Sequence, residues 1–143
     1  MANPVSSVKS ASDIVHKAGL LFMVSTTRKL DLQYASQFAA VSDFYNPQGQ
    51  ALQSSPSEYA SFYKDIAAQI RTANPHIKIV AQVSTLRGDL QSMQQSFSLI
   101  AGFVDGVIVW YATTPDSLKQ LNSFLYWFST NNNIITTGKS IIV

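Results

Sequence analysis

The fold is decided by residues 77–100, which read IKIVAQVSTLRGDLQSMQQSFSLI. Residues 77–83, five of which are apolar, predict a strand. A hydroxyl-rich loop at 84–88 follows. A helix beginning near Asp89 then presents an apolar face at helical spacing, formed by Leu90, Met93, Phe97 and Ile100. These residues therefore encode one complete strand–loop–helix unit.

Two more units of this kind precede it in the chain, and one follows it. Further strands are predicted at 20–24, 41–45 and 104–111, and each is followed by residues at helical spacing. An additional helix precedes the first strand, and its apolar face comprises Val8, Ala11, Val15 and Ala18. Strands that alternate with helices pair in parallel through right-handed crossovers. The prediction is an α/β fold: one domain over residues 1–143, with four consecutive βα units preceded by an N-terminal helix.

Capping residues mark several boundaries of these elements. Gly19 stands where the C-cap of the first helix is expected. Residues 55–58 combine an N-cap serine, a proline at the first helical position and a glutamate three residues on, which is the capping-box arrangement. Thr114-Pro115 begins the last helix in a similar way. In the tail, residues 134–137 and 140–143 flank Gly138-Lys139 and predict a strand or a small hairpin.

An internal repeat accompanies this regularity. Val24-Ser25-Thr26-Thr27-Arg28 recurs 59 residues later as Val83-Ser84-Thr85-Leu86-Arg87, and Ser55-Pro56 recurs at the same spacing as Thr114-Pro115. Either two units were duplicated to make four, or any regular parallel α/β chain would show such intervals.

Four regular βα units have the organisation of half of an eight-stranded TIM barrel. Four parallel strands cannot close, so an apolar face and two strand edges would stay uncovered. A second copy, the other half of a longer parent or flattening into an open doubly wound sheet would each cover them, and the tail at 141–143 would protect one edge. We therefore expect a homo-oligomer or a complementary half-barrel as the partner.

The composition argues against several classes of function. Charged residues make up 13% of the chain, against about a quarter in typical proteins, and the net charge of +2 includes no basic run that would suit nucleic acid. The absence of cysteine removes disulfides and thiolate metal sites. Residues 1–12 have no apolar core of signal-peptide length, and no segment is apolar enough to span a membrane. The low charge and many uncharged polar residues favour an extracellular location or a large surface buried against a partner.

Much of the chain, from about Asp13 to Phe128, resembles a group of mostly uncharacterised TIM-barrel proteins of the glycoside-hydrolase-like kind. The resemblance rests on residues 18–24, on Asp43-Phe44-Tyr45 with Gln48 and 50–53, and on 73–85 and 104–107. In such proteins these segments form the later part of a barrel, so the resemblance implies a half-barrel. Any catalytic residue on the earlier strands would be missing, and the resemblance therefore assigns none.

In parallel α/β folds, ligands bind at the carboxyl ends of the strands. In this sequence those ends are rich in hydroxyl, amide and aromatic groups, which suit neutral polyhydroxy ligands. The ligand-binding candidates are Arg28, Tyr45, Gln48, Gln50, Gln82, Ser84, Arg87, Trp110 and Tyr111. Alternatively, the hydroxyls cap the following helices, Trp110 fills the barrel mouth, and the two loop arginines pair with Asp31 and Asp89.

Glycoside hydrolysis generally needs two carboxyl groups roughly 5 to 9.5 Å apart. Asp43 is the single catalytic candidate, because it is expected on a strand near the ligand-binding edge. His16 and His76 are expected far apart, so the sequence predicts no metal site, and no motif predicts a cofactor.

The leading hypothesis is a carbohydrate-binding half-barrel with little or no catalysis. The alternatives are an assembly module that pairs with a second half or copy, and a hydrolase that is active only when the barrel is completed.

Overall fold

The computed structural model describes residues 3–131 and 139–142. Helices and parallel strands alternate along these residues, and a short 3₁₀ turn at Gln50–Leu52 precedes the third helix. In chain order the elements are α1 (Pro4–Lys17), β1 (Met23–Thr27), α2 (Arg28–Ala39), β2 (Phe44–Gln48), α3 (Pro56–Ala73), β3 (Lys78–Ser84), α4 (Leu90–Ile100), β4 (Gly106–Trp110), α5 (Pro115–Thr130) and β5 (Ser140–Ile142).

The strands lie side by side in the order in which they occur in the chain, β1-β2-β3-β4-β5, and every neighbouring pair is parallel. Each helix contacts the next, from α1 to α5, so the helices form one layer on one side of the sheet. The predicted fold is confirmed: four βα units follow an N-terminal helix in the arrangement of half of a barrel. The tail adds β5 parallel to β4, while residues 134–137 lie outside the described part of the chain.

The two faces of the sheet have different chemistry. The face toward the helices carries the hydrophobic core, in which Val24, Tyr45, Ile79, Val83 and Val107 pack against helix residues such as Phe38, Ile66 and Phe97. Alternation along each strand places the remaining strand residues on the opposite side, which we call the helix-free face. It comprises Met23, Ser25, Thr27, Phe44, Asn46, Gln48, Lys78, Val80, Gln82, Ser84, Gly106, Ile108, Trp110 and Ile142.

The first two strands begin three residues later than the sequence predicts. The Leu20 N–H bonds the carbonyl of Val15, so the start of the predicted strand at 20–24 closes α1 instead. Ser42 likewise donates its N–H to Ala39 at the end of α2. The second strand then continues through Asn46-Pro47-Gln48, which the sequence had predicted as loop.

The helix ends agree with most of the predicted caps. Gly19 has a φ of +72°, as a glycine after a helix C-terminus often does. The side chains of Asp89 and Thr114 accept N–H bonds from Ser92 and Ser117 at the starts of α4 and α5. The prediction of a reciprocal capping box at α3 is wrong. Ser55 is the N-cap of this helix, but its side chain makes no capping hydrogen bond.

Candidate functional site

A row of polar side chains crosses the helix-free face from β1 to β3. We define this polar row as Ser25, Asn46, Gln48 and Gln82. The Ser25 hydroxyl donates to Asn46 Oδ1 at 3.0 Å and accepts from Gln48 Nε2 at 3.3 Å. Gln82 Nε2 also donates to Asn46 Oδ1, and Asn46 Nδ2 donates to the Val80 carbonyl at 2.6 Å. Three strands are therefore joined by side-chain amides and one hydroxyl.

The polar row ends in an acceptor without a partner. Gln82 is only 1% exposed, and its Oε1 atom makes no hydrogen bond within the described structure. Its amide nitrogen is committed to Asn46, which fixes the orientation of the side chain and leaves the oxygen as the free end. A buried carbonyl oxygen without a donor costs about 1–3 kcal/mol, so this end of the row favours a group that donates an N–H or O–H.

Two buried tyrosines of α3 position the strand that carries Gln82. The backbone pairing of β2 with β3 covers Phe44 and Tyr45 only. Beyond it the Tyr63 hydroxyl lies between the strands, where it donates to the Pro47 carbonyl at 2.6 Å and accepts the Gln82 N–H at 2.9 Å. The Tyr59 hydroxyl donates to the Gln82 carbonyl at 2.6 Å. Both backbone groups of Gln82 are thus held by tyrosine hydroxyls.

A second side-chain clamp holds the end of β3. Gln53, which follows the 3₁₀ turn, is fully buried. Its side-chain amide donates to the Ser84 carbonyl at 2.9 Å and accepts the Ser84 N–H at 2.7 Å. This pair imitates a strand neighbour, so it fixes the carboxyl end of β3 at the edge where ligands of such folds bind.

An aromatic pocket lies beside the end of β4. Trp110 is the last residue of that strand and is 55% exposed, and Tyr111 follows it with its ring also exposed. Together with Ile108, Thr113 and Ile142 they line an open pocket of about 430 Å³. The pocket is mainly apolar, and it adjoins Ser84, which is the register partner of Trp110 on β3.

A buried carboxyl lies on the other side of the sheet. Asp31, in the first turn of α2, is fully buried, and its Oδ1 accepts from the hydroxyls of Thr26 and Tyr45. Burial raises the pKa of the Asp31 carboxyl to about 6, and the two hydroxyl donors oppose that rise. The pKa of Tyr45 is also raised, first by burial and then by the Asp31 charge. The Oδ2 atom of Asp31 has no partner in the described structure.

The predicted ligand-binding residues divide into two groups. Gln48, Gln82, Ser84, Trp110 and Tyr111 lie on the helix-free face or at its carboxyl edge, as expected. The others do not join them. Tyr45 faces the helices, Arg28 lines a cleft between α2 and α3, Gln50 belongs to the 3₁₀ turn, and Arg87 is exposed in the loop after β3.

The expected position of Asp43 is wrong. Because β2 begins at Phe44, Asp43 precedes the strand and lies at the amino edge of the sheet, opposite the edge where ligands were expected. Its carboxylate accepts the Phe22 N–H at 2.7 Å and contacts His16 Nε2 at 2.8 Å. These two bonds lower the pKa of Asp43, the backbone bond contributing most. Asp43 therefore ties α1 and β1 to β2.

Sequence reasoning placed Ser25 and Asn46 at the strand ends without joining them, and it did not predict the burial of Asp31. Ser25 and Asn46 stand at the predicted strand ends, but only their side-chain bonds to each other identify them as members of one row. Asp31 had a usable signal: it is spaced four and seven residues before Ala35 and Phe38, and so lies on the apolar face of α2. The expected pairing of Asp31 with a loop arginine is wrong, since its partners are hydroxyls.

The helix-free face is chemically neutral apart from Lys78. None of the strand residues that form it is an Asp or a Glu. Within the described ranges, no group of three or more His, Cys, Asp or Glu side chains is placed to hold a metal ion. The helices seen in the same ranges are all too short or too polar to cross a bilayer.

A scan against protein-family models and a search of curated proteins found no match to this chain. The resemblance to glycoside-hydrolase-like barrels therefore depends on the quoted segments alone, and the function is argued below from the geometry of the site.

Proposed function

We propose that the helix-free face binds a neutral polyhydroxy ligand, most simply a carbohydrate, at the carboxyl ends of β2, β3 and β4. One observation carries the proposal: the exposed indole of Trp110 ends β4, the strand that pairs with β3, and β3 carries Gln82 of the uncharged polar row. Aromatic rings offer large apolar faces against which the C–H surface of a sugar packs. Amides and hydroxyls supply the directed bonds that sugar hydroxyls need, as in most small-molecule sites.

The bonding direction of the polar row defines what the ligand must present. Each of its amide groups donates one N–H within the row: Gln82 to Asn46, Gln48 to Ser25, and Asn46 to the Val80 carbonyl. The Gln82 oxygen is an acceptor without a partner in the described structure, but it is buried, so a ligand hydroxyl that donates to it must displace the groups that cover it. A carboxylate or phosphate, which only accepts, would face the free oxygen with the wrong polarity.

Little or no catalysis accompanies this binding. The carboxylates of Asp43 and Asp105 lie at the amino edge, and Asp31 is enclosed on the helix side of the sheet. Asp89 and Asp116 lie at the carboxyl edge, at the starts of α4 and α5, and none of the strand residues on the helix-free face carries a carboxyl group. The described ligand face itself therefore lacks the pair of carboxyl groups that the usual hydrolytic mechanism requires. A hydrolase that becomes active when a second half supplies the carboxylates is the corresponding alternative.

Isothermal titration with a panel of neutral oligosaccharides tests the binding proposal. We expect Trp110→Ala and Gln82→Ala to lose measurable binding of any glycan that the unmodified chain binds. Leu32→Ala is the control, because Leu32 is an exposed apolar residue on α2, outside the site, and this variant should bind normally. Absence of binding across the panel, or equal binding by the Trp110 variant, would overturn the proposal.

Assembly is a second candidate function, favoured by the two outer strands. In the described structure β1 pairs only with β2, and β5 pairs only with β4, so each leaves one side of its backbone without a strand partner. Open strand edges are sites of association unless something covers them. A complementary half-barrel, from a second copy or from elsewhere in a longer parent, would provide that cover.

A further inference from the structure

Exposed apolar side chains are concentrated at the two ends of the sheet. Twelve large hydrophobic residues are exposed in the described structure, and all but Leu32, Leu86 and Leu99 lie at one end or the other. We call Ile14, Leu20, Leu21 and Met23 the β1 surface. At the opposite end, Trp110 and Tyr111 belong to the proposed ligand site, and we call Leu118, Tyr126 and Ile142 the β5 surface. Apolar area on a monomer that is restricted in this way is typical of an interface.

We propose that the β1 surface of one copy binds the β5 surface of a second copy, head to tail, and that two such junctions close a symmetric dimer. This inference rests on the assembly function proposed above and names its partner and geometry. The occupant is a second copy because this chain carries both halves of the contact: two unlike open edges, each with its own apolar surface.

Strand polarity selects the head-to-tail arrangement. Each described pair of strands is parallel, so β5 of one copy beside β1 of the other continues the sheet in the same direction. A two-fold axis that related β1 to β1 would make that pair antiparallel, and it would leave both β5 surfaces uncovered. A two-fold axis along the barrel direction instead produces two identical β1–β5 junctions and covers all four surfaces.

The exposed apolar residues of α1 and α5 lie at the same level along the strand direction, as this arrangement requires. Each helix runs back from the carboxyl edge of the sheet to its amino edge, where the next strand begins. Ile14 is near the end of α1, and Leu20 and Leu21 precede β1, so these residues lie toward the amino edge. Tyr126 is near the end of α5 and lies at the same level. The junction makes α5 of one copy the neighbour of α1 of the other, and Tyr126 also borders the groove that α5 forms with Leu90 and Gln94 of α4.

Closure would also place the two ligand faces around one interior. Two copies contribute ten described strands, and the interior of a barrel widens as its strand number grows. The polar rows of both copies then line a shared cavity that opens at the carboxyl edge, so each site is completed by the partner copy.

Sedimentation velocity of the full chain and three single variants tests the proposal. Leu21→Glu alters the β1 surface and Tyr126→Glu alters the β5 surface, at side chains that are 70% and 72% exposed. Leu32→Glu is the control, because Leu32 is 65% exposed but lies on α2, outside both surfaces. Circular dichroism establishes that each variant is folded. We expect the unmodified chain and the control at twice the 15.7 kDa chain mass, and each interface variant alone as a monomer.

A mixture of the Leu21→Glu and Tyr126→Glu variants tests the head-to-tail geometry directly. The two interface variants together retain one intact junction, so the mixture should form a heterodimer that neither variant forms alone. A dimer that survives either substitution, or a mixture that stays monomeric, overturns the head-to-tail geometry while assembly stands. If the unmodified chain is a monomer, both the head-to-tail dimer and the assembly function are wrong. Glycan titration of the same samples is a separate readout: a dimer that binds no glycan removes only the ligand proposal, and a monomer that binds glycan leaves that proposal standing.

Discussion

The hydroxyl of Tyr63 is the most testable structural feature beneath the site. It donates to the Pro47 carbonyl and accepts the N–H of Gln82, at 2.6 and 2.9 Å, where the backbone ladder between β2 and β3 has ended. Tyr63→Phe keeps the ring and removes the oxygen that the Pro47 carbonyl, the Gln82 N–H and the Gly49 N–H all contact. The Pro47 carbonyl and the Gly49 N–H keep their bond to each other at 3.1 Å, so the Gln82 N–H is the buried backbone group that loses its partner, and we expect a loss of about 1–3 kcal/mol in the free energy of unfolding.

Urea denaturation followed by fluorescence measures this loss directly. Tyr126→Phe is the matched control, since Tyr126 is largely exposed and the substitution should change stability by less than about 0.5 kcal/mol. Amide hydrogen exchange adds a local readout, because the Gln82 N–H should exchange faster in the Tyr63 variant. If Tyr63→Phe is as stable as the unmodified chain and the Gln82 amide stays protected, the hydroxyl does not hold the two strands together.

Three further predictions concern other parts of the molecule. Folding raises the pKa of Asp31 from 3.8 to about 6, so the folded state binds the proton more tightly than the unfolded state. The free energy of unfolding should therefore fall by about 3 kcal/mol as the pH rises from about 4 to 6. Urea titrations at several pH values measure this slope, and Asp31→Asn should flatten it. Gly49→Ala should lower the melting temperature, because a Cβ there would lie 2.4 Å from a ring carbon of Tyr63 and overpacking costs about 1–3 kcal/mol; an unchanged melting temperature would mean that the ring moves aside. Asp43→Ala should destabilise the fold by about 1–3 kcal/mol, because the hydrogen bond to the Phe22 N–H is lost, and it should leave glycan affinity unchanged. A variant that keeps its stability but loses glycan binding would show that Asp43 belongs to the ligand site.

The elements that the sequence predicts well have strong and independent signals. In residues 77–100 a mostly apolar stretch precedes a helix with a regular apolar face, and the structure has β3 and α4 there within one residue of the predicted starts. The order of strands and helices follows from their alternation, because parallel strands need crossovers.

The extension of β2 beyond its predicted end has a physical cause that lies far away in the sequence. A polar sequence with a proline, such as Asn46-Pro47-Gln48, argues against a strand, because proline lacks the N–H that a ladder requires. Here side chains replace the missing backbone pairing: Tyr63 bonds the Pro47 carbonyl, and Asn46 bonds Val80 on the next strand. Both partners are distant in sequence, so no local pattern reports them.

The candidate site was predictable as a region and less so residue by residue. The carboxyl edge and its amide and aromatic character follow from the order of the elements. Which face a strand residue occupies depends on register, and a shift of the strand start changes it. Tyr45 shows the difficulty, since a tyrosine suits either a ligand face or a core with a buried carboxyl such as Asp31 as its partner.

The central claim is that Trp110 and Gln82 form one ligand site on the helix-free face. Two-dimensional NMR during titration with a bound oligosaccharide tests it at these two side chains. The indole N–H of Trp110 and the side-chain amide of Gln82 should shift together and saturate at the same ligand concentration. Saturable shifts confined to other residues, with both of these signals unmoved, would contradict it.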